Sequence, residues 1–152
     1  MSLQAILQHK GTRVFAISPD ASLGEVVQKL VKFNCGSLVV CENEDTTRMV
    51  GIISERDILR AWAANRSSLD PLRVSEIMTR EVATCAPHDS VQDAMGMMTE
   101  RRIRHLPIID DRGELVGIVT AIISPGRTAG SVGIGFAVPI ESAATVIGLP
   151  PF

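Results

Sequence analysis

Val14-Phe-Ala-Ile-Ser-Pro-Asp-Ala-Ser-Leu23 and Val82-Ala-Thr-Cys-Ala-Pro-His-Asp-Ser-Val91 are two copies of one pattern. Pro19 falls on Pro87 and Ser22 on Ser90. Downstream the copies stay in step: Ser37-Leu-Val-Val-Cys41 lies over His105-Leu-Pro-Ile-Ile109. Met49-Val-Gly-Ile-Ile-Ser54 lies over Leu115-Val-Gly-Ile-Val-Thr120. Two copies are too few to stack as a solenoid and predict a pseudo-twofold pair.

Each copy carries the same local instructions. A short strand (Val14 to Ile17; Val82 to Cys85) ends in turn chemistry, Ser-Pro-Asp or Ala-Pro-His. Ser22 then begins a helix, with Glu25 three residues on completing a capping box; Ser90 and Asp93 repeat the signal. Leu23, Val26, Val27, Leu30 and Val31 recur at helical spacing and define one apolar face. Val91, Ala94, Met95 and Met98 define its counterpart, with methionine serving as core filler. Leu38 to Cys41 and Leu106 to Ile109 are apolar runs of the buried-strand type. Each is followed by a polar turn and a second strand, an antiparallel hairpin. In the first copy a helix is predicted from about Glu55 to Ala64, with Ile58, Leu59 and Trp62 on one side. Asn65 to Pro71 is a polar linker and Val74 to Met78 a short helical connector. The fold class is therefore α/β, a β-α-β-β-α unit written twice. Residues 1–68 form the first repeat with an N-terminal segment, 69–120 the linker and second repeat, and 121–152 a tail.

Bulk properties exclude several functions. A chain of 152 residues is long enough for a hydrophobic core without staples. The formal charge of −2 argues against a nucleic-acid partner. No apolar run approaches the ~18 residues of a membrane span. Cys35, Cys41 and Cys85 are an odd, dispersed set without metal-ligand spacing, which suits a reducing cytoplasmic compartment. The N-terminus shows no signal-peptide pattern, and its first two or three residues read as an addition foreign to the fold.

The order of elements, with these residues in place, resembles the cystathionine-β-synthase (CBS) domain, which occurs in tandem pairs. The marks are Ile53-Ser-Glu-Arg-Asp57, Val74-Ser-Glu-Ile-Met-Thr79, Ser90-Val-Gln-Asp-Ala-Met95 and Arg102-Ile-Arg-His-Leu-Pro107. The resemblance spans about 14–120 and implies a regulatory module without catalysis or required cofactor. Its implied ligand is AMP, ATP, NAD or S-adenosylmethionine in a cleft between the repeats, and its implied assembly a homodimer. It places the ligand's ribose and phosphate on Ser54 and Asp57. The chemistry is sound: a carboxylate accepts both cis hydroxyls, and a helix N-terminus presents N–H groups to an anion. Ser-Glu-Arg-Asp is equally an ordinary helix cap, and both readings stand. Arg104 and His105 are implied phosphate contacts, whereas Arg101 and Arg102 suit a helix C-terminus. Backbone from Ala16, Ile17 and Ser18 with Cys35, Gly36, Ser37 and Leu38 is placed around the adenine. Thr84 to Ala86 with Arg104, His105, Leu106 and Pro107 repeat that frame. Gly36 permits close approach of a flat ring, or else terminates the preceding helix.

The second copy breaks the pattern. Gly117-Ile-Val-Thr120 is followed by Ala-Ile-Ile123, so isoleucine stands where the carboxylate belongs and Thr120 is left alone. From there to about residue 147 the chain resembles the end of an HtrA-type serine protease domain. Its catalytic segments are absent, and Ser124 and Ser131 read as loop residues. The tail predicts a strand near Gly133 to Val138 and a helix over Glu141 to Ile147. Two further functions compete with a sensor: a ligand-free dimerisation module and, at a distance, a protease-derived fragment.

Overall fold

The computed structural model describes residues 1–10, 14–43, 47–65, 69, 71–122 and 133–136. The chain divides into two compact units. One comprises Phe15–Val82, and the other joins Met1–Val14 to Ala83–Phe152.

The first unit is built on the sheet β1 (Ala16–Ile17), β2 (Ser37–Cys41) and β3 (Met49–Ser54), with β1 parallel to β2 and β2 antiparallel to β3. Helix α2 (Leu23–Phe33) crosses between β1 and β2. It starts on the expected capping box: the Ser22 hydroxyl accepts the Glu25 N–H at 3.2 Å, and the Glu25 carboxylate accepts the Ser22 N–H at 2.7 Å. Leu23, Val26 and Leu30 go into the core with Ile17, Leu38, Val40 and Ile53. Val27 and Val31, expected on the same face, are 40% and 76% exposed instead. The stripe follows the i, i+3, i+7 line from Leu23, and the i+4 and i+8 positions turn away from it. Helix α3 (Glu55–Asn65) shows the same narrowing. Ala61 is buried and Ile58 packs on the core, whereas Leu59 (68%) and Trp62 (57%) are exposed. The helix α4 (Val74–Ile77) follows as the predicted connector.

In the second unit α5 (Val91–Arg101) precedes the hairpin β4 (His105–Ile109) and β5 (Leu115–Ile122). The Ser90 cap on Asp93 is present, with the Asp93 N–H donating to the hydroxyl at 3.0 Å. Ala94 and Met98 are buried, and Met97 packs on the same core where Met95 was expected. The two hairpins are superimposable in register: Ser37 opposes Ser54 and His105 opposes Thr120. Both ladders shift at the same place, after Val40 and after Ile108.

The strand expected over Val82 to Cys85 is reduced to a single parallel bridge, Cys85 to Ile108. The cause is Pro107. In the first unit the Val39 N–H donates to the Phe15 carbonyl at 3.3 Å; Pro107 stands at that position and has no N–H to give.

Helix α1 (Leu3–Lys10) docks on the second repeat, and α4 docks on the first in the same way. Ser2 bridges to Ser90 as Arg73 does to Ser22. The Gln4 N–H donates to the Pro87 carbonyl at 2.7 Å, and the Ser75 N–H to the Pro19 carbonyl at 2.9 Å. Leu3 is fully buried, so the reading of the first residues as foreign to the fold is overturned. A short segment with no strong cap or long periodicity carries little sequence signal, and only the partner surface reveals its role.

After Thr120 the second repeat stays extended. β5 continues to Ile122 and pairs antiparallel with β6 (Gly133–Phe136), which falls inside the predicted C-terminal strand. The expected helix over 141–147, Ser124, Ser131 and most of the protease-like stretch lie outside the described residues.

Candidate functional site

The β3–α3 junction of the first unit gathers the sequence-derived candidates. The Asp57 carboxylate accepts both the Ser54 N–H and the Ser54 hydroxyl, each at 2.9 Å. This is the reciprocal half of a capping box, in which the acidic third residue of the helix holds the residue before it. Both residues are only partly buried. The β2 start lies against them. The Glu55 N–H donates to the Gly36 carbonyl at 3.0 Å, and Ser37, itself buried, faces Ser54 across the ladder.

Gly36 does not end α2. That role belongs to Asn34, left-handed at φ 47°, whose N–H reaches the Leu30 and Val31 carbonyls. Ile17 and Leu38 are fully buried core residues, so they offer the site backbone and not side chain. The Ala16 carbonyl is engaged by Lys29 Nζ at 3.2 Å, a contact that the sequence gave no reason to expect. Lys29 lies on a helix face that reads as solvated, and only the fold turns it toward β1. Ser18 closes its own turn, its hydroxyl accepting the Asp20 N–H and its carbonyl the Ala21 N–H.

The second unit brings Arg104, His105 and Thr120 to the equivalent junction, where His105 opposes Thr120. Arg104 and Thr84 are exposed, while Leu106 and Pro107 are buried. The Pro107 carbonyl accepts the Cys85 N–H at 3.0 Å. Because β5 runs on past Thr120, no helix N-terminus follows it, unlike Ser54. The two repeats thus differ in what they present: a capped helix start with a carboxylate in one, a continuous strand beside cations in the other. Among the described residues no group of three or more His, Cys, Asp or Glu is placed to hold a metal. None of the described helices is long and apolar enough to cross a membrane.

Burial tunes the titratable groups of the second unit. It holds the His105 imidazole below its ordinary 6.5, and the neighbouring Arg104 charge adds to the effect. It pushes the Cys85 thiol from 9.0 up to about 11, with Asp89 contributing. The linkage signs are opposite in consequence. An unfolded histidine takes a proton before the folded one, so stability is lost as pH falls below 6.5. An unfolded thiol ionises before the folded one, so stability is lost as pH rises from 9.0 toward 11. Melting temperature against pH is expected to fall at both edges. His105→Gln should flatten the acid edge. Cys85→Ala should flatten part of the alkaline one, since Cys35 and Cys41 are raised by burial as well.

Comparison with known proteins agrees with this architecture. The CBS domain model matches residues 11–64 and 74–122. An uncharacterised 17.7 kDa protein of Acidianus ambivalens is 39% identical over 109 residues, 72% of this chain and 63% of that one. A CBS domain protein of Pyrobaculum aerophilum, solved with AMP, is 30% identical with a TM-score of 0.67, covering 79% of this chain and 87% of that one. A CBS domain pair solved with 5-methylthioadenosine and S-adenosyl-L-methionine is 28% identical with a TM-score of 0.68, covering 79% and 92%. The chain belongs to the CBS domain family, as a tandem pair. It spans between half and two thirds of the length of the first curated relatives it matches.

Proposed function

We propose that the chain is a regulatory module that binds an adenine nucleotide or S-adenosylmethionine and catalyses nothing itself. The observation that carries this reading is the β3–α3 junction. There a partly exposed carboxylate, Asp57, and a hydroxyl, Ser54, sit at a helix start beside Gly36 and Ser37. Support comes from solved relatives at 28–30% identity that hold AMP or S-adenosyl-L-methionine. In this reading Asp57 accepts ribose hydroxyls and the α3 N-terminus faces phosphate. The backbone of Ala16 to Ser18 and Gly36 to Leu38 frames the base. Arg104, His105 and Thr120, with backbone from Thr84 and Leu106 to Pro107, form a weaker second set that lacks a carboxylate. Free thiols at Cys35, Cys41 and Cys85 suit a cytoplasmic setting.

Calorimetric titration with AMP, ATP, NAD and S-adenosylmethionine tests the reading. One of the four should bind with about one site per chain; heat from none of them overturns it.

A second reading, a homodimerisation module that needs no ligand, is favoured by the exposed apolar side chains Val27 and Val31 on α2 and Leu59 and Trp62 on α3. The readings are compatible, and we propose a homodimer formed through these helices. Sedimentation should show a dimer that Trp62→Lys converts to monomer. A wild-type monomer at high concentration removes the dimer.

A further inference from the structure

The two lead-in segments are copies of one docking element, and each sits on the repeat that it does not precede. α4 precedes the second repeat and docks on the first; α1 precedes the first and docks on the second. Their backbones match bond for bond. The Leu72 carbonyl accepts the Leu23 N–H at 3.3 Å, and the Met1 carbonyl accepts the Val91 N–H at 3.1 Å. The Val74 N–H donates to the Ala21 carbonyl at 2.9 Å, and the Leu3 N–H to the Asp89 carbonyl at 3.0 Å. Val74 and Leu3 are both fully buried. Four residues on, Met78 and Leu7 lie against the hairpin glycines, Gly51 and Gly117. Each seat thus takes an extended residue followed by an apolar pair four residues apart, on one side of a helical turn.

The chain holds the two elements in place differently. α4 lies inside the continuous unit Phe15–Val82 whose core it completes. α1 belongs with Ala83–Phe152, and the whole of Phe15–Val82 stands in the chain between them. Closing so long a loop has an entropic cost, which narrows the advantage of a chain's own α1 over that of another chain. The hold of α1 is also slight. Leu3 is fully buried, Ala5, Ile6 and Leu7 are half-buried, and an eight-residue helix is not stable by itself in water. It therefore leaves its seat at lower cost than the unit unfolds. Its departure uncovers the core of Cys85, Ala94, Met98, Leu106 and Val119, an apolar surface that calls for an equivalent cover. α4 is engaged on the first repeat, so the element that fits is α1 of a second copy.

We propose that the α1 seat of the second repeat is an intermolecular docking site, on which two copies of this chain pair by exchanging α1. Leu3 and Leu7 of the second copy then complete the core of the second unit. Every contact of the single chain is conserved in the pair, which makes exchange a low-cost route to association. It requires α1 to leave its own seat first, so the pair accumulates on warming and not on mixing in the cold. The assignment is separate from pairing through α2 and α3, and it does not depend on the nucleotide site at Ser54 and Asp57.

Complementation between two full-length variants tests it, both carrying Trp62→Lys so that pairing through α3 is absent. One has Leu3→Asp and Leu7→Asp, which leaves a seat without a fitting helix. The other has Gly117→Leu, which fills the seat and leaves the helix intact. Warmed together and cooled, the two should sediment as a one-to-one pair, while each warmed alone stays monomeric. A mixture of folded chains that stays monomeric overturns the proposal, as does a variant that pairs equally well alone. Where circular dichroism shows the Gly117 variant unfolded, a fluorescein-labelled peptide of residues 1–10 reads the seat directly. It should bind the Leu3→Asp, Leu7→Asp chain at least tenfold more tightly than wild type, whose seat is filled. The same peptide with both leucines changed to aspartate should lose that binding. A peptide that binds the two chains alike, or binds equally with its leucines replaced, overturns the proposal. No nucleotide enters these measurements, so a failure at Ser54 and Asp57 leaves them untouched.

Discussion

A methyl group added at Gly51 is expected to destabilise the protein by about 1–3 kcal/mol, the range for overpacking a site that cannot relax. A Cβ there would lie 2.8 Å from the Met78 sulfur and 2.8 Å from the Thr79 carbonyl oxygen. The sulfur can swing away; the carbonyl cannot. It accepts the Ile52 N–H at 3.0 Å, while the Thr79 N–H donates to the Ile52 carbonyl at 2.9 Å. Room for the methyl opens only if this pair of bonds gives and the connector lifts off the sheet. Gly51→Ala should therefore lower the melting temperature by roughly 2–12 °C. Two companions calibrate the result. Gly117 occupies the matching position in the second repeat, but the atom it would meet at 2.6 Å is Leu7 Cδ2, the tip of a flexible side chain. Gly117→Ala should cost less and act by loosening α1. Gly96 stands in α5 with nothing within 4 Å of an added Cβ, so Gly96→Ala should stabilise by about 0.5–1 kcal/mol. Equal melting of the Gly51 and Gly96 variants would refute the close-approach argument.

Substitution of Asp57 carries the largest functional effect. Its carboxylate ties down both the N–H and the hydroxyl of Ser54, so alanine removes a cap and costs about 1 kcal/mol of stability. In the proposed site the same group receives the ribose hydroxyls. Asp57→Ala should then abolish detectable nucleotide binding while the protein still folds. Asp57→Asn separates the roles, because an amide oxygen still accepts the Ser54 N–H and lacks the charge. It should melt close to wild type and bind roughly 10–100-fold more weakly, the worth of a charge-assisted bond. Wild-type affinity in both variants would leave Asp57 as a cap and nothing more.

The parts of the fold that sequence reveals are those where one residue meets one local demand. Ser22 with Glu25 and Ser90 with Asp93 announce their helices because capping is a contact within four residues. Strands β2 and β4 announce themselves because burial on both faces leaves an unbroken apolar run. Pattern fails where the answer depends on distant surfaces. Val31, Leu59 and Trp62 satisfy helical periodicity yet point to solvent, since periodicity says which residues share a face and not where the sheet lies. Pro107 was legible as a strand residue, but its effect on Cys85 needed the partner strand to be known. At the site, Ser54 and Asp57 were readable as a pair because their spacing is a turn of helix. Lys29 on the Ala16 carbonyl was not, being thirteen residues away on a face that looked solvated.

The docking of α1 has a consequence for the order in which the molecule assembles during synthesis. The unit Phe15–Val82 is continuous in sequence, and its connector arrives directly behind it. The other unit is discontinuous. Leu3 and Leu7 precede the continuous unit, yet they belong to a core whose remaining members extend to Val119. Contacts of such long separation form late, after the loop between them has closed. Helix α1 is thus made well before the surface it docks on, and is late to find its seat. Until Gly117 emerges, its apolar side is open to a chaperone or to the same seat on a neighbouring finished chain.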